Sequence, residues 1–330
     1  MRRRTFLTVS GEGIKPSDAM ACDICLYNKT TQKLLIVESA KFTVSEYPSD
    51  KYSPVGVVVI PGNHNVYGNG SCAVMSLKYM SCDNPDSGDT SYQEIYWGQY
   101  GTDISNMTNY DKICYFGLNS TVNQTVQGVV DQAFLPSDKF SEFSEVQNPY
   151  DKDTYYFTRG HYSPSPYNED DTRNTAYYQT SSPSTTSNCL SDFDGVGNTK
   201  ILTDLATSQS DWKTASTITN NYNSGYSPAA CCCWRYHTEG TKQGDWYLPA
   251  MGELGYMVVK INKINQTINT LITAYGSTVG VQIILGYPYR YWSSSESSNY
   301  GSIFINHNCN VDTISKGGSG LFVRSFLLVK

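Results

Sequence analysis

The sequence predicts a mixed α+β protein that carries a long polar insertion. Three features support this prediction: short β-branched runs near both ends of the chain, one apolar stripe with helical spacing in the last third, and a polar stretch from about residue 100 to 230. Because 39% of the 330 residues are hydrophobic, the chain can bury a large core. A globular protein is therefore expected.

Four short runs near the N-terminus have the composition of strands. They are residues 24–27, 34–37, 55–60 and 73–77. The polar residues 28–31 separate the first two runs and predict a hairpin, and Pro61 begins a turn after the third run. We interpret residues 1–45 as a small N-terminal β segment and residues 46–330 as the main domain.

The stretch from about residue 100 to 230 is rich in Ser, Thr, Asn, Asp, Tyr and Pro, which predicts long loops. A loop-rich insertion of this length is uncommon unless it is functional or held to a scaffold. Aromatic residues such as Tyr155, Tyr156 and Phe157 could hold it. The abundance of tyrosine argues against disorder.

The clearest helix follows Pro249. Its apolar residues recur at steps of three and four: Leu254, Met257, Ile261, Ile264, Ile268, Leu271 and Tyr275. The pattern ends near Gly276. Two later apolar runs, residues 279–285 and 321–329, predict strands.

The charge and the distribution of apolar residues argue against nucleic-acid binding and against membrane insertion. The net charge is −6 and only 16% of residues are charged, so the surface offers no basic stripe for phosphates. No run reaches the roughly 18 apolar residues that a membrane-spanning helix needs. A signal peptide is not expected either, because Glu12, Lys15 and Asp18 interrupt the stretch that follows the basic start.

The ten cysteines do not have the spacing of a small disulfide scaffold. Cys22 and Cys25 would bind a metal only with a second pair nearby. Cys231, Cys232 and Cys233 are too crowded for one tetrahedral site without ligands from elsewhere. Buried, reduced cysteines are favoured, the redox state stays open, and no cofactor is expected.

Three motifs follow one another in the last third of the chain: residues 245–254 (DWYLPAMGEL), 291–296 (YWSSSE) and 323–326 (VRSF). Together they resemble the C-type-lectin-like domains of the formylglycine-generating-enzyme type, specifically the variable proteins of diversity-generating retroelements from gut bacteria and their phages. Residues 55–77 resemble the start of the same domain. The resemblance implies a C-type-lectin-like fold over residues 46–330, with a variable ligand-binding region at about 285–320.

Six motif residues are interpreted as scaffold: Trp246, Pro249, Glu253, Trp292, Glu296 and Arg324. Trp246 would end a core strand, and Trp292 would be a large buried anchor. Glu253 would lie in the first turn of the helix, where the helix dipole favours an anion. Arg324 lies inside an apolar run and needs a carboxylate or several carbonyls once buried, and Glu296 is the candidate partner.

The resemblance places the ligand-binding positions mainly between the second motif and the last strand. The residues assigned to this surface are Tyr287, Tyr289, Tyr291, Ser297, Asn299, Tyr300, Ser302, Phe304, Asn306, His307, Asn308 and Asp312. Tyrosine offers flat contact area at low entropic cost, while serine and asparagine offer adaptable hydrogen bonds. Residues 297–315 contain no Lys, Glu, Gln, Met or Trp, which is what adenine mutagenesis of Asn codons of the form AAY would leave.

These observations predict a binding protein rather than an enzyme. Its expected partner is a cell-surface protein or glycan, and its expected location is a virion or a bacterial cell surface. Homo-oligomerisation stays open. Recognition by such a surface would be strengthened if several copies were displayed together.

Three alternatives remain. An enzyme of the formylglycine-generating type would need a reactive cysteine, and Cys309 beside His307 has no evident neighbouring cation or helix terminus to activate it. A calcium-dependent lectin would need more acidic residues than Glu296 and Asp312 near the site, although the acidic run 169–171 could bind calcium in the insertion. A static adhesin would use the same fold without variation.

Overall fold

The computed structural model describes residues 13–62, 66–67, 70–105, 107, 192–206, 211–284, 289–305 and 311–330, and the backbone of residues 114–117 and 156–159; for residues 258, 259, 311 and 312 it describes only the backbone. These residues form helices and antiparallel sheets, so the predicted α+β class is confirmed.

The described strands and helices follow the chain in this order. The strands are β1 (Ile24–Asn28), β2 (Lys33–Val37), β3 (Tyr52–Ile60), β4 (Cys72–Ser76), β5 (Cys114–Gly117), β6 (Tyr156–Arg159), β7 (Trp246–Tyr247), β8 (Tyr291–Glu296), β9 (Gly301–Ile305), β10 (Val311–Ser315) and β11 (Phe326–Val329). The helices are α1 (Gly195–Asp204), α2 (Pro228–Arg235), α3 (Met251–Val259) and α4 (Ile261–Tyr275). The strands form sheets of six (β2-β1-β3-β4-β11-β7), three (β10-β9-β8) and two (β5-β6), and all neighbours are antiparallel.

The predicted N-terminal hairpin is confirmed by the pairing of β1 with β2. Asn28 fixes its turn, because the side-chain Oδ1 accepts the backbone N–H groups of Thr30 and Thr31 at 2.9 and 3.0 Å. The next two predicted strands, β3 and β4, are also present and pair with each other. Because β1 pairs with β3 as well, one sheet continues across the proposed boundary between residues 1–45 and 46–330.

Both faces of the six-stranded sheet are covered. Successive side chains of a strand point to opposite faces, and accordingly Val57 and Val58 of β3 belong to different apolar clusters. One cluster packs the sheet against α3 and α4, and the other packs it against α1 and α2. The three-stranded sheet enters both clusters, since Ile303 and Ile305 lie in the first and Phe304 in the second.

The predicted helix after Pro249 is present but divided into α3 and α4. Lys260 separates the two helices with φ −113° and ψ 15°, outside the helical range. The predicted stripe faces the core, since Leu254, Met257, Ile261, Ile264, Ile268 and Leu271 are buried. Gly276 ends α4 with φ +101°, a conformation that glycine adopts without strain.

The two C-terminal strands differ from their predictions. Residues 279–284, the described part of the first, form no strand. The carbonyls of Val281 and Gln282 instead accept hydrogen bonds from Nη2 of Arg324 at 2.7 and 3.2 Å. The last strand, β11, begins at Phe326, later than predicted, because the residues before it pair with other segments only through single bridges.

The insertion is described only in part. β5 pairs with β6, which contains Tyr156 and Phe157, while Tyr155 and most of the insertion lie outside the described residues. Its described C-terminal part contains α1 and begins α2, so the prediction of loops is wrong there. Asp194 caps α1, because its carboxylate accepts the N–H of Gly197 at 2.8 Å.

The six predicted scaffold residues, Trp246, Pro249, Glu253, Trp292, Glu296 and Arg324, are all buried. Trp246 donates its ring N–H to Thr241 Oγ1 at 3.0 Å, and Trp292 donates its ring N–H to the carbonyl of Ile95 at 2.7 Å. Both indoles therefore bury large apolar area without leaving a polar atom unpaired.

Arg324 pairs with several carbonyls, the second of the two predicted alternatives, and not with the candidate partner Glu296. Besides the two carbonyl contacts described above, its Nη1 donates to the carbonyl of Ser76 at 3.1 Å. The guanidinium also lies 4.0 Å from the ring centre of Tyr79. Several carbonyls and an aromatic face thus stabilise the buried cation, so no carboxylate is needed.

Glu253 closes the first turn of α3. Its Oε2 accepts the N–H of Ala250 at 2.7 Å, and its Oε1 accepts the hydroxyls of Tyr67 and Tyr247 at 2.7 and 3.0 Å. Complete burial raises the pKa of this carboxyl to about 8, although the three hydrogen bonds act in the opposite direction. The neighbouring carboxylate of Asp192 raises the pKa further.

Glu253 should make the protein less stable at alkaline than at mildly acidic pH. Because its pKa is higher in the fold than in the unfolded chain, its stabilisation is fully present below pH 4.5 and is lost as the pH rises through about 8. Glu253→Gln is neutral at every pH. Urea unfolding at about pH 5 and about pH 8.5 should therefore show the wild type losing roughly 2–4 kcal/mol more than this variant.

The matched control is Glu46→Gln, which changes an exposed glutamate and should keep the pH dependence of the wild type. An equal pH dependence of Glu253→Gln and the wild type would show that Glu253 does not take up a proton on folding.

Candidate ligand-binding surface

The three-stranded sheet carries most of the predicted site. β8 and β9 pair with Tyr291 opposite Ile305 and Glu296 opposite Ser302, and residues 297–300 form the turn between them. β8 is buried along its whole length. The turn is therefore the part of this hairpin that meets solvent.

The serines of the Trp-Ser-Ser-Ser motif form a bulge in β8, because β8 has more residues than β9 between the two ladder pairs. Ser293 donates its hydroxyl to the carbonyl of Ile303 at 2.7 Å, and Ser295 donates to the carboxylate of Asp192 at 2.6 Å. Small hydroxyl side chains can thus be buried here with their polar atoms paired. The bulge therefore sets the position of Glu296, the last residue of β8.

Three predicted binding residues do not lie on an exposed surface, so their assignment is wrong. Tyr291, Ser302 and Phe304 are 0%, 0% and 3% exposed. Ser302 donates its hydroxyl to the carbonyl of Ser295 at 3.0 Å, and Phe304 packs against Trp292 with ring centres 6.2 Å apart. Both faces of the sheet are covered, so strand alternation carries none of the three to solvent.

Three other predicted residues lie in the turn. Tyr300 is 56% exposed, whereas Ser297 and Asn299 are partly buried. The backbone of the turn is fixed, because the N–H of Ser297 bonds to the carbonyl of Gly301 and the carbonyl of Asn299 accepts the N–H of Gly101, both at 3.0 Å. The turn therefore presents side chains from a fixed backbone.

Tyr289 precedes β8 and is partly buried. Its ring lies edge-on to Tyr92 at 5.2 Å between centres and 5.1 Å from Phe322. A hydrogen bond with the Tyr92 hydroxyl raises the pKa of Tyr289. Tyr92 is 54% exposed, so this pair of tyrosines also reaches the surface.

The remaining predicted residues, Tyr287, Asn306, His307 and Asn308, lie outside the described residues, as do Cys309 and the acidic run 169–171. Asp312 lies opposite Phe304 in β10, and its side chain is not described. Among the described residues, no group of three His, Cys, Asp or Glu side chains could hold a metal ion. None of the described helices has the length and apolarity needed to cross a membrane.

Tyr300 belongs to a group of tyrosines that the sequence did not reveal. Its ring centre lies 5.5 Å from that of Tyr100, which lies 6.2 Å from Tyr222, and Tyr222 lies 5.3 Å from Tyr96. Tyr100 and Tyr222 are each 41% exposed. We call Tyr96, Tyr100, Tyr222 and Tyr300 the tyrosine cluster.

Backbone hydrogen bonds hold the segments of the tyrosine cluster together. The N–H of Tyr100 donates to the carbonyl of Tyr222 at 3.1 Å, and the N–H of Gln99 donates to the carbonyl of Tyr226 at 2.7 Å. Gly98 has φ +93°, and a Cβ at this position would lie 2.0 Å from the Tyr226 carbonyl oxygen. Glycine is therefore required for the two segments to approach.

The surface offers aromatic contact and neutral hydrogen bonding. Phenol rings present flat apolar faces with a polar edge. The hydroxyls of Thr102 and Ser224, two residues beyond Tyr100 and Tyr222, are 2.9 Å apart. Asp103 is an exposed charged neighbour in the same segment.

A buried ion pair lies at the end of β8, next to the turn. Glu296 ends β8, Lys316 follows β10, both are 0% exposed, and Lys316 Nζ donates to Glu296 Oε1. Nζ also donates to the carbonyl of Thr102 at 2.8 Å and lies 4.9 Å from a ring centre of Trp97. Both Glu296 oxygens accept the N–H of Ile104 at 3.3 Å. The pair therefore joins the end of the three-stranded sheet to residues 102–104.

Lys316 lies inside the predicted variable region 285–320, and its side chain is buried in the ion pair. Burial raises the pKa of Glu296 and lowers the pKa of Lys316, whereas their mutual attraction opposes both changes. One sequence signal could have identified this lysine: the run 297–315, which lacks Lys, Glu, Gln, Met and Trp, ends immediately before it.

No protein-family model matches the chain, and no curated protein matches it. A solved structure that is similar in part is the crystal structure of a fimbrial protein from Bacteroides ovatus ATCC 8483, with 14% sequence identity and a TM-score of 0.38. The comparison covers 94% of this chain and 49% of that chain, so this chain spans about half the length of the fimbrial protein. A similarity at this level assigns neither fold nor function, and the function is therefore argued from the site.

Lys316→Met should lower the free energy of unfolding by about 3–5 kcal/mol, because Glu296 would remain buried without a cation. Combining it with Glu296→Gln should recover most of the loss, since no buried charge is left. Urea unfolding of the two single variants and the double variant measures this coupling.

The matched control is Lys200→Met, which removes the lysine of the exposed Lys200–Asp204 pair and should change stability little. Equal losses in Lys316→Met and Lys200→Met would contradict a structural role for the buried pair.

Proposed function

We propose that this chain is a recognition protein that binds a protein or glycan on a cell surface through the tyrosine cluster. The main support for the proposal is the exposure of Tyr100, Tyr222 and Tyr300, at 41%, 41% and 56%. The buried ion pair fixes the backbone near Tyr100 and Tyr300. Large aromatic side chains grouped at the surface are characteristic of binding sites.

The packing of the rings favours binding further. Each ring of the tyrosine cluster contacts a neighbouring ring, so its rotamer is already restricted before a ligand arrives. Ordering of side chains is one of the main costs of association, and a surface that is fixed in advance avoids part of that cost. The proposed activity is binding without catalysis or cofactor.

The proposal extends to the scaffold, which we assign to the C-type-lectin-like type of retroelement variable proteins. The motif resemblance and the division of the motif region into buried and exposed positions support this assignment. Trp292 and Glu296 are buried, whereas Tyr300 follows them on an exposed turn. Side chains on that turn could change without loss of core contacts. A virion or bacterial cell-surface location belongs to the same proposal.

Sequencing of natural copies of the 3′ coding region should show substitutions concentrated at the exposed positions. We expect variation at Ser297, Asn299 and Tyr300, because these side chains lie in the turn between β8 and β9 and outside the two apolar clusters. Trp292, Glu296, Lys316 and Arg324 should be constant, because each is buried with specific partners.

Constancy of the exposed turn together with the buried residues would instead favour a static adhesin. Substitutions spread evenly over buried and exposed positions would contradict both readings, since the buried ion pair would then not be maintained.

Tyr300→Ala should weaken binding of the purified chain to bacterial cells or to printed glycans by about tenfold or more, because the variant loses the most exposed ring of the tyrosine cluster. Labelled wild-type and variant proteins are compared by cell binding and on a glycan array. Val44→Ala is the control, because Val44 is 51% exposed and lies outside the tyrosine cluster. If Tyr300→Ala bound as tightly as the wild type, binding through the tyrosine cluster would be contradicted.

A further inference from the structure

Two cysteines from distant parts of the chain meet in the core. The sulfur of Cys82, which follows β4, lies 3.4 Å from the sulfur of Cys232 in α2, and the residues are 150 positions apart. Both side chains are buried, at 1% and 0% exposure. Disulfide sulfurs are closer by about 1.4 Å, so bond formation requires the two sulfurs to approach by that distance.

The position of Cys82 is fixed by its backbone. Its N–H donates to Oε1 of Gln93 at 2.5 Å, and its carbonyl accepts the N–H of Ile218 at 2.8 Å. Cys232 lies inside α2, whose C-terminal residue Arg235 is held by the carboxylate of Asp86 at 2.7 and 2.8 Å. The two sulfurs are thus brought together by elements that are themselves fixed.

We propose that Cys82 and Cys232 form a disulfide when the chain folds in a compartment that supplies disulfides. The Cys82 thiol loses its proton and attacks a donor disulfide, which gives a mixed disulfide and releases one donor thiolate. The Cys232 thiolate then attacks the Cys82 sulfur of the mixed disulfide and releases the second donor thiolate. One bond forms between the cysteines, the donor is reduced to two thiols, and these thiols take up the two protons.

This reaction belongs to folding rather than to the finished structure. Burial raises the pKa of the Cys232 thiol well above its ordinary value, so little thiolate is available once the core has closed. Attack must therefore occur while the sulfur is still accessible. After that, the same burial protects the bond from reducing agents.

The bond would join the two segments that carry most of the tyrosine cluster. The segment after Cys82 contains Tyr96 and Tyr100, and the segment before Cys232 contains Tyr222. Hydrogen bonds already connect them, since Asn220 accepts the N–H of Tyr96 at 2.9 Å and donates to the carbonyl of Glu94 at 2.9 Å. A covalent bond at the base of this contact would restrict opening of the two segments and would lower the entropy of the unfolded chain.

The full-length chain is refolded in a glutathione redox buffer, alkylated and digested with trypsin for mass spectrometry. The expected product is a linked pair of peptides, residues 79–112 and 214–235, with two fewer free thiols than the reduced chain. Fragmentation of the linked pair should place the bond at Cys232 rather than at the adjacent cysteines. The oxidised chain should melt roughly 5–10 °C above the reduced chain.

Cys232→Ala should abolish the linked pair, whereas Cys233→Ala, which changes an equally buried neighbour in the same helix, should keep it. If all ten thiols of the wild type stay free after oxidative refolding, or if fragmentation places the bond at another cysteine, the proposal is overturned. The wild-type peptide map decides the question even where a variant fails to fold.

Discussion

The buried pair of Glu296 and Lys316 is the constraint on which the proposed surface depends. A lone charge in this position would be strongly destabilising, so each residue requires the other. Glu296 ends β8, Lys316 follows β10, and their remaining hydrogen bonds go to the backbone of residues 102–104. One interaction therefore sets the relative positions of three chain segments, and Tyr300 and Tyr100 lie on two of them.

An apolar pair of similar volume could fill the same space, but it would fix the geometry less well. Hydrophobic contact has no preferred direction, whereas an ammonium and a carboxylate must keep their hydrogen bonds. The bulge in β8 contributes to the same geometry, because it sets the register at which Glu296 ends the strand before the turn. The parts of the Trp-Ser-Ser-Ser-Glu sequence act together: Trp292 packs in the core, the three serines form the bulge, and Glu296 supplies the buried charge at the end of the strand.

Local patterns in the sequence were sufficient for elements whose partners are close along the chain. The hairpin of β1 and β2 and the apolar stripe of α3 and α4 depend on neighbouring residues, and both were predicted. The partners of Arg324 and of Glu296 were not, because Ser76, Tyr79 and Ile104 lie far away in the sequence and Lys316 looks like an ordinary loop residue. Tyr100 and Tyr222 were missed for the same reason, since only the fold places them beside Tyr300.

The arrangement limits where variation could alter recognition. Strand alternation usually leaves every second residue exposed, but β9 lies between two apolar clusters, so Ser302 and Phe304 are unavailable to a ligand. Among the described residues, the turn before β9 then supplies one ring of the tyrosine cluster, while the other three come from residues 96–100 and 222. Under the proposal that the C-terminal region varies, a ligand seated on this cluster would also contact residues outside that region. Recognition would then combine aromatic residues outside the variable region with a small variable part inside it.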